Sequence, residues 1–400
     1  MNFSYDQNDV YWLQKIRHFL IEQDVNNEFA VDASEKFPWH VRQNAGRAGL
    51  IGLDVSIEGG GHNLNALTMG LIYEEMGRCS VNCRELFGAG HGLMIDQFGS
   101  KYQKERYLPD LLKGDILVGV GLTERDTGSD LSSTKTFARR VENGYVLQGR
   151  KEWVSRVEEA GVFVVFAKTN LNPGVNDLTA FLVDMDDPKI SKYAYSPMGL
   201  KGWSYGGFEL NGVFVPEENR LGAVGQAFEI FNHHFGYWRI LMALICIGSA
   251  KEAIDQAIAY SKERNVFGGP LARFHSVMHK VSESLTELDA AKLLCYRALN
   301  MLDLGQPCIR EVAMAKWYGT EVAHRAIDHA IQIHGARGYC REYGLEQRLR
   351  DTRGLVIADG SNEVMKSLIG RETFGRSIYD SMYGREKRQE EDLPAAATFI

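Results

Sequence analysis

The hydrophobic pattern of this chain changes its period twice, and that change constrains the fold more than any other feature. Residues 1–118 carry apolar residues at helical spacing, as at Leu67 and Leu71. Residues 119–222 carry short β-rich runs separated by turn residues, and helical spacing returns in residues 223–400. We therefore predict an α+β, mostly α-helical protein: a helical N-terminal domain, an antiparallel, barrel-like middle β domain and a C-terminal helical bundle.

The middle segment contains strand-like runs at residues 145–147, 162–166 and 179–183. No periodic segment of helix length lies between them, so the pattern favours an antiparallel sheet or barrel over a βαβ unit. In the flanking segments, Asn63 or Asn65 is expected to cap a helix. Long C-terminal helices are predicted at residues 226–263, 274–304, 307–334 and 361–385.

Charge and cysteine content exclude several classes of protein. The formal net charge is −7, which argues against a basic nucleic-acid-binding surface. The six cysteines form no CxxC pair and no zinc pattern, so we expect reduced thiols, no metal and a cytoplasmic location. No signal peptide is evident, and the apolar run at residues 240–250 is too short to span a bilayer. We expect a buried core helix there, and no membrane partner.

The polar segment from Leu122 to Asp130 lies where the helical pattern gives way to the β pattern. Its small hydroxyl residues and Gly128 would let backbone N–H groups converge on an anion or a cofactor, although an ordinary surface turn has the same composition. Further along, Trp153 and Ser155 would share one face of a strand. An indole beside a hydroxyl suits a flat aromatic ligand, but a core tryptophan gives the same pattern.

Three C-terminal segments also carry candidate residues. Arg264, at a predicted helix end, suits a phosphate or simply complements the helix C-terminus. The glycine-containing turn after Gln332 allows a ligand to approach the backbone, or merely joins two helices. Asp359 precedes Gly360 and a helix that Ser361 or Asn362 would cap, so it is either a base or an ordinary N-terminal helix acid.

Taken together and in this order, these segments resemble the acyl-CoA dehydrogenase family over essentially the whole chain. The family's TEPGAGSD loop is similar to residues 123–130, and its WIT strand to residues 153–155. The ERxxFG, QxxGxxGY and EEMGR motifs are present, and the family's RD and EG(T/S)x(Q/E) segments have similar counterparts. These motifs begin at Glu263, Gln332, Glu74, Arg350 and Asp359.

The resemblance implies an FAD enzyme that oxidises the α,β bond of an acyl thioester. Leu122 and Thr123 would meet the pyrimidine edge of the flavin, and Ser129 would lie by the pyrophosphate and the substrate. Trp153 would pack on the isoalloxazine, and Ser155 would bond near its N5/O4 edge.

The resemblance also implies a second group of cofactor residues. They would hold the adenosine-diphosphate half of an FAD bound mainly by the neighbouring subunit of a homodimer or homotetramer. These residues are Arg264, Phe267, His275, Gln332 and Gly335.

Ser361 and Glu363 would complete the cofactor contacts that the resemblance implies. Asp359 would take the α-proton while the β-hydride passes to flavin N5. Arg239 would lie near the substrate entrance, and the backbone around Gly360 would polarise the thioester carbonyl.

Three positions depart from the family pattern. Asp359 stands where glutamate is usual, which shortens the side chain by roughly 1.5 Å. Some branches of the family place the base on the first C-terminal helix instead, and at that position this chain has Trp238. Residues 125–127 read Arg-Asp-Thr in place of Pro-Gly-Ala. His275 stands where the family has glutamine.

These departures leave alternatives open. A flavin oxidase or monooxygenase of the same fold, similar to nitroalkane oxidase, is one, and a non-catalytic binding protein is another. The thioester carrier is either coenzyme A or an acyl carrier protein, the latter as in natural-product biosynthesis. The electron acceptor is either an electron-transfer flavoprotein or oxygen.

Overall fold

The computed structural model describes residues 6–28, 37–169, 177–375 and 378. Local sequence explains where its first helices begin. The side chains of Asp6 and Asp9 form a capping box at the start of α1, and Asn65, one of the two predicted caps, accepts a hydrogen bond from Thr68 N (2.8 Å) at the start of α4. The N-terminal helices are α1 (Gln7–Glu22), α2 (Val25–Glu28), α3 (Trp39–Arg47), α4 (Ala66–Cys79), α5 (Leu93–Phe98) and α6 (Lys101–Lys113).

The middle segment forms one sheet with the strand order β6-β7-β3-β2-β4-β5-β8, and β1 pairs with β4 outside this path. The strands are β1 (Leu117–Gly121), β2 (Phe137–Val141), β3 (Gly144–Ser155), β4 (Ala160–Lys168), β5 (Leu178–Asp184), β6 (Ile190–Tyr195), β7 (Tyr205–Pro216) and β8 (Arg220–Leu221). Most neighbours are antiparallel, as predicted, but β1 and β4 run parallel and β2 contacts β4 in parallel. The sheet is therefore mixed, and "barrel-like" describes it only loosely.

The C-terminal segment is a helical bundle, as predicted. Its helices are α7 (Ala227–Glu263), α8 (His275–Asp303), α9 (Ile309–His334), α10 (Leu345–Ile357) and α11 (Asn362–Phe374), with a short hairpin of β9 (Asn265–Val266) and β10 (Gly269–Pro270) between α7 and α8. The sequence pattern missed α10, and the end of the predicted helix over 361–385 lies outside the described residues, apart from 378. Residues 240–250 are all buried inside α7, which confirms the predicted core helix.

Two glycines set the packing of the N-terminal helices on the bundle. A Cβ at Gly77 of α4 would collide with the carbonyl of Ile245 in α7, and one at Gly248 of α7 would collide with the carbonyl of Glu74. The two backbones approach closely here because neither residue has a side chain. None of the helices in the described part of the chain combines the length and hydropathy that a membrane crossing requires.

Candidate active site

A cavity of about 1210 Å³ lies where the sheet meets the C-terminal helices. Segments far apart in sequence converge on it: the end of β1, the end of β3, the first half of α7 and the turn before α11. Many of the residues predicted to bind cofactor or substrate line this cavity. They are Leu122, Thr123, Ser129, Trp153, Ser155, Arg239, Asp359, Gly360 and Ser361.

A buried ion pair fixes the loop that follows β1. The carboxylate of Glu124 accepts hydrogen bonds from Lys135 N (2.7 Å), Thr136 N (2.9 Å) and Lys151 Nζ (2.9 Å), and Lys151 is fully buried. Burial alone would raise the pKa of Glu124, but Lys151 and the hydrogen-bond donors lower it below its usual value. The carboxylate therefore stays charged and holds the loop against the sheet.

The three residues of this loop that depart from the family pattern form a tight turn. The backbone N–H groups of Glu124 and Thr127 each donate to the other residue's carbonyl, at 2.8 and 3.1 Å. Asp126, at the tip of the turn, pairs with Lys135 at 2.9 Å on the surface. The turn places Arg125 and Asp126 at the exposed outer side of the loop, while Leu122 and Thr123 line the cavity.

Strand β3 is irregular at Trp153. The register shifts between Glu152 and Val154, and Trp153 adopts a φ of 56°, so it is the extra residue of a β-bulge. The simple alternation predicted for Trp153 and Ser155 is therefore interrupted, yet both residues line the cavity. The indole is 49% exposed and stacks on Tyr195 with ring centroids 4.8 Å apart. The bulge thus presents one face of a large aromatic ring beside the cavity.

Asp359 lies in a strained turn between α10 and α11. Its φ is 59° and that of Gly360 is 95°, so two successive residues occupy left-handed conformations. The Arg239 side chain donates from Nε to the carbonyl of Asp359 at 2.7 Å. Ser361, one of the two predicted caps, caps α11 by accepting a hydrogen bond from Val364 N. The turn places the Asp359 side chain, which is partly buried, at the cavity wall.

Lys316 of α9 holds this turn from behind. Its ammonium is fully buried and donates to the carbonyls of Val356 (3.1 Å) and Gly360 (2.7 Å) and to Oδ1 of Asn362 (3.1 Å). Burial lowers the pKa of Lys316 to about 8, while the nearby charge of Asp359 works to raise it. At pH 7 the side chain therefore remains mostly an ammonium ion.

The electrostatic environment of Asp359 favours proton uptake. Burial raises the pKa of its carboxyl group, while the charges of Lys316, Arg239, Arg84 and Arg156 work to lower it, and the net effect is a raised pKa. A carboxylate with a raised pKa is a stronger base than a free aspartate, yet the cations keep its ionised form accessible. The site can thus supply a general base.

Other predicted cofactor residues lie away from this cavity. Arg264 and the 91% exposed Phe267 follow α7, and Gln332 and Gly335 end α9. The stacked rings of Tyr260 and His334, with centroids 4.5 Å apart, hold these two helix ends together. His275 begins α8, and Glu363 begins α11 with an exposed side chain. The chain therefore presents a second, surface-exposed group of candidate residues.

Sequence reasoning missed several residues of the cavity wall. Arg84, His91 and Arg156 line the cavity and are all more than nine-tenths buried. Arg84 and His91 lie in a stretch without a recognisable motif. Arg156 directly follows the segment of residues 153–155 but is not part of it, so no sequence signal indicates any of the three. In the described part of the chain no group of three or more His, Cys, Asp or Glu residues is arranged to hold a metal.

The three-part architecture corresponds to the three domains of one known family. Family profiles for the acyl-CoA dehydrogenase N-terminal, middle and C-terminal domains match residues 9–115, 119–213 and 225–374. The chain is 32% identical to "Probable acyl-CoA dehydrogenase YngJ" of Bacillus subtilis over 93% of this chain and 99% of that protein. It therefore belongs to the acyl-CoA dehydrogenase family.

Solved structures agree with this assignment. An "FAD complex of PigA" superposes with a TM-score of 0.88 at 26% identity, covering 94% of this chain and 100% of that one. The "Prolyl Acyl Carrier Protein Oxidase AnaB" superposes with a TM-score of 0.87 at 27% identity, covering 92% of this chain and 100% of that one. The protein is an FAD-dependent flavoenzyme that dehydrogenates CH–CH bonds of acyl thioesters, which confirms the predicted fold class, cofactor and type of enzyme.

The residues at the cavity fit FAD. Trp153 offers a half-exposed aromatic face, and Thr123, Ser129 and Ser155 offer hydroxyl groups. A flat, polar-edged ring system needs both kinds of contact.

Proposed function

We propose that Asp359 is the base that removes the α-proton of an acyl thioester in this cavity. The observation that carries the proposal is that the turn places this carboxylate at the cavity wall, with a raised pKa and with Lys316 and Arg239 fixing the backbone around it. Bound FAD supplies the hydride acceptor. The Asp359 carboxylate would take the proton of the Cα–H bond, and the electron pair of that bond would form the α,β double bond as the β-hydride departs.

The cofactor contacts divide between the two groups of residues. We propose that Leu122, Thr123, Ser129, Trp153 and Ser155 hold the flavin end, with Ser361 and Glu363 completing the contacts. The exposed group with Arg264 and Phe267 would hold the adenosine-diphosphate end of an FAD in a partner subunit. A homodimer or homotetramer is the assembly that this division requires, and sedimentation of the FAD-loaded protein measures it.

The carrier of the acyl group and the electron acceptor form the finer part of this proposal. AnaB, as its name states, is an oxidase of a prolyl acyl carrier protein, which supports an acyl-carrier-protein substrate for this chain. A caffeyl-CoA reductase subunit from Acetobacterium woodii, 31% identical to this chain, belongs to a complex with an electron-transferring flavoprotein. This relative supports coenzyme A as the carrier and such a flavoprotein as the electron acceptor. These possibilities are distinguished by comparing the rates of oxidation of the same acyl group on coenzyme A and on a carrier protein, each with oxygen or the flavoprotein as the electron acceptor.

The Asp359→Asn variant tests the proposed base. We expect it to retain FAD, because its shape is unchanged, and to lose anaerobic bleaching of the flavin by thioester, because an amide takes up no proton at neutral pH. Asp328→Asn, an exposed acid on α9, is the matched control and should bleach normally. Bleaching of the Asp359→Asn variant at a near-normal rate would show that another group is the base.

A further inference from the structure

The guanidinium group of Arg84 is a buried charge at the cavity wall, and one of its nitrogens has no hydrogen-bond partner in the described part of the chain. Arg84 is 4% exposed and lines the cavity. Its Nη1 is fully buried and finds no hydrogen-bond acceptor among the described residues. Burying an uncompensated charge is costly, and buried arginines are normally paired. This group therefore points to a ligand.

The surroundings hold Arg84 in place without neutralising it. Its guanidinium lies 5.1 Å from the ring centre of Trp203, which itself stacks on Phe37 at 4.6 Å. Arg156 lies 5.2 Å from the same indole. An aromatic face attracts a cation but offers no hydrogen-bond acceptor in the plane of the guanidinium. The group is thus preorganised, with its donors left for another molecule.

Nearby acids do not remove the need for such a partner. Arg156 forms an ion pair with Glu85, so these two charges balance each other. Asp351 accepts hydrogen bonds from Leu200 N and from Asn82 Nδ2. Asp359 is close enough to act on Arg84 electrostatically, but a base that takes up the α-proton becomes neutral. The positive charge of Arg84 would then face the substrate unbalanced.

We propose that Arg84 binds a carboxylate carried by the acyl group, so that the preferred substrate is the thioester of a dicarboxylic acid. This inference rests on the proposed function, because it places the acyl group in the cavity beside Asp359. A guanidinium matches a carboxylate with two parallel hydrogen bonds. A purely aliphatic acyl group would leave the charge unpaired, and a protonated amine would be repelled.

Reduction of the bound flavin by paired thioesters tests this preference. The probes are the succinyl, glutaryl and adipyl thioesters and their monomethyl esters, on coenzyme A and on a phosphopantetheine-bearing carrier protein. We expect one diacid to reduce the flavin with an efficiency roughly 10- to 100-fold above that of its methyl ester. Arg84→Met should abolish this ratio, Arg84→Lys should restore part of it, and Arg47→Met, an exposed control, should preserve it.

The outcomes separate this inference from the proposed function. Carboxylate binding by Arg84 is refuted if the methyl esters reduce the wild-type flavin as fast as the diacids do. It is also refuted if Arg84→Met keeps the wild-type ratio of diacid to methyl-ester efficiency. Neither result affects the proposed function. If no thioester reduces the flavin, the proposed function fails. Carboxylate binding is then measured by titrating the protein with each diacid thioester and following the shift of the flavin absorption. Both the Arg84→Met substitution and methylation of the diacid must weaken this binding, and to the same extent. FAD content and circular dichroism verify that the variants fold.

Discussion

Replacing Lys316 with methionine tests how the turn that carries Asp359 is held. The buried ammonium donates to two backbone carbonyls and to the side chain of Asn362. Methionine has a similar length but no donor. Asn362 has an alternative donor in the Thr320 hydroxyl (3.2 Å), whereas the carbonyls of Val356 and Gly360 lose the ammonium donor.

The expected loss of stability follows from these two carbonyls. A buried acceptor left without its partner costs about 1–3 kcal/mol, so two cost about 2–6 kcal/mol. Methionine also removes the cost of burying an ammonium, which offsets part of this loss. We expect the free energy of unfolding of Lys316→Met to fall by about 2–3 kcal/mol. Denaturant titration of the FAD-loaded protein measures it.

The same substitution shifts the pH dependence of the reaction. Asp359 acts as a base only when ionised, so flavin reduction should rise with pH through the pKa of this carboxyl group. Lys316 is the leading charge that lowers the pKa of Asp359 against the effect of burial. Removing it raises that pKa, and the acidic limb of the rate profile should move to higher pH, with the largest loss of rate below the limb.

Thr320→Val is the matched control for this experiment. The Thr320 hydroxyl lies within hydrogen-bond distance of the same Asn362 (3.2 Å) and of the carbonyl of Lys316 (2.9 Å), yet it carries no charge. This variant should lose stability without moving the acidic limb. An unmoved limb in Lys316→Met, or one displaced to lower pH, would refute the electrostatic argument. Stopped-flow reduction at a series of pH values provides the measurement.

Two further predictions concern a candidate cofactor residue, Arg264, and the ion pair that holds the loop after β1. Arg264→Ala should lower the amount of FAD retained after gel filtration, measured as flavin absorbance per protein. Lys262→Ala, a substitution at the same helix end, is the control and should retain FAD. Equal retention in the two variants would reject a phosphate-binding role for Arg264. Glu124→Leu leaves the fully buried Lys151 without its ion-pair partner and should cost about 3–5 kcal/mol of unfolding free energy. Asp126→Asn breaks only an exposed pair and should leave stability unchanged; a comparable loss in both variants would contradict the assignment of Glu124.

The order of the elements could be predicted because hydrophobic period is a local property. The helix runs predicted at 226–263, 274–304 and 307–334 lie within a few residues of α7, α8 and α9. Helix α10 is not evident from its hydrophobic pattern, because residues 345–357 are mostly polar or charged. The parallel pairing of β1 with β4 depends on contacts between distant segments, which spacing does not encode.

Some residues of the candidate site could likewise be predicted from the sequence, and others could not. Asp359, Trp153 and Leu122 were found because each lies in a motif that resembles the family, and the structure brings them to one cavity. Arg84 was not found, since nothing in its local sequence distinguishes a cavity arginine from a surface one. The bulge at Trp153 was not foreseen either, because a non-glycine residue with positive φ is stabilised by its surroundings rather than by its own preference.

The left-handed backbone at Asp359 gives a reason for the shorter acid at this position. Aspartate is among the few non-glycine residues enriched at such φ values, because its short side chain bonds locally to the backbone. Glutamate gains no such help and would bear the conformational cost of the turn in full. The aspartate therefore eases the backbone conformation between α10 and α11, but its shorter side chain has less reach into the cavity than a glutamate would have.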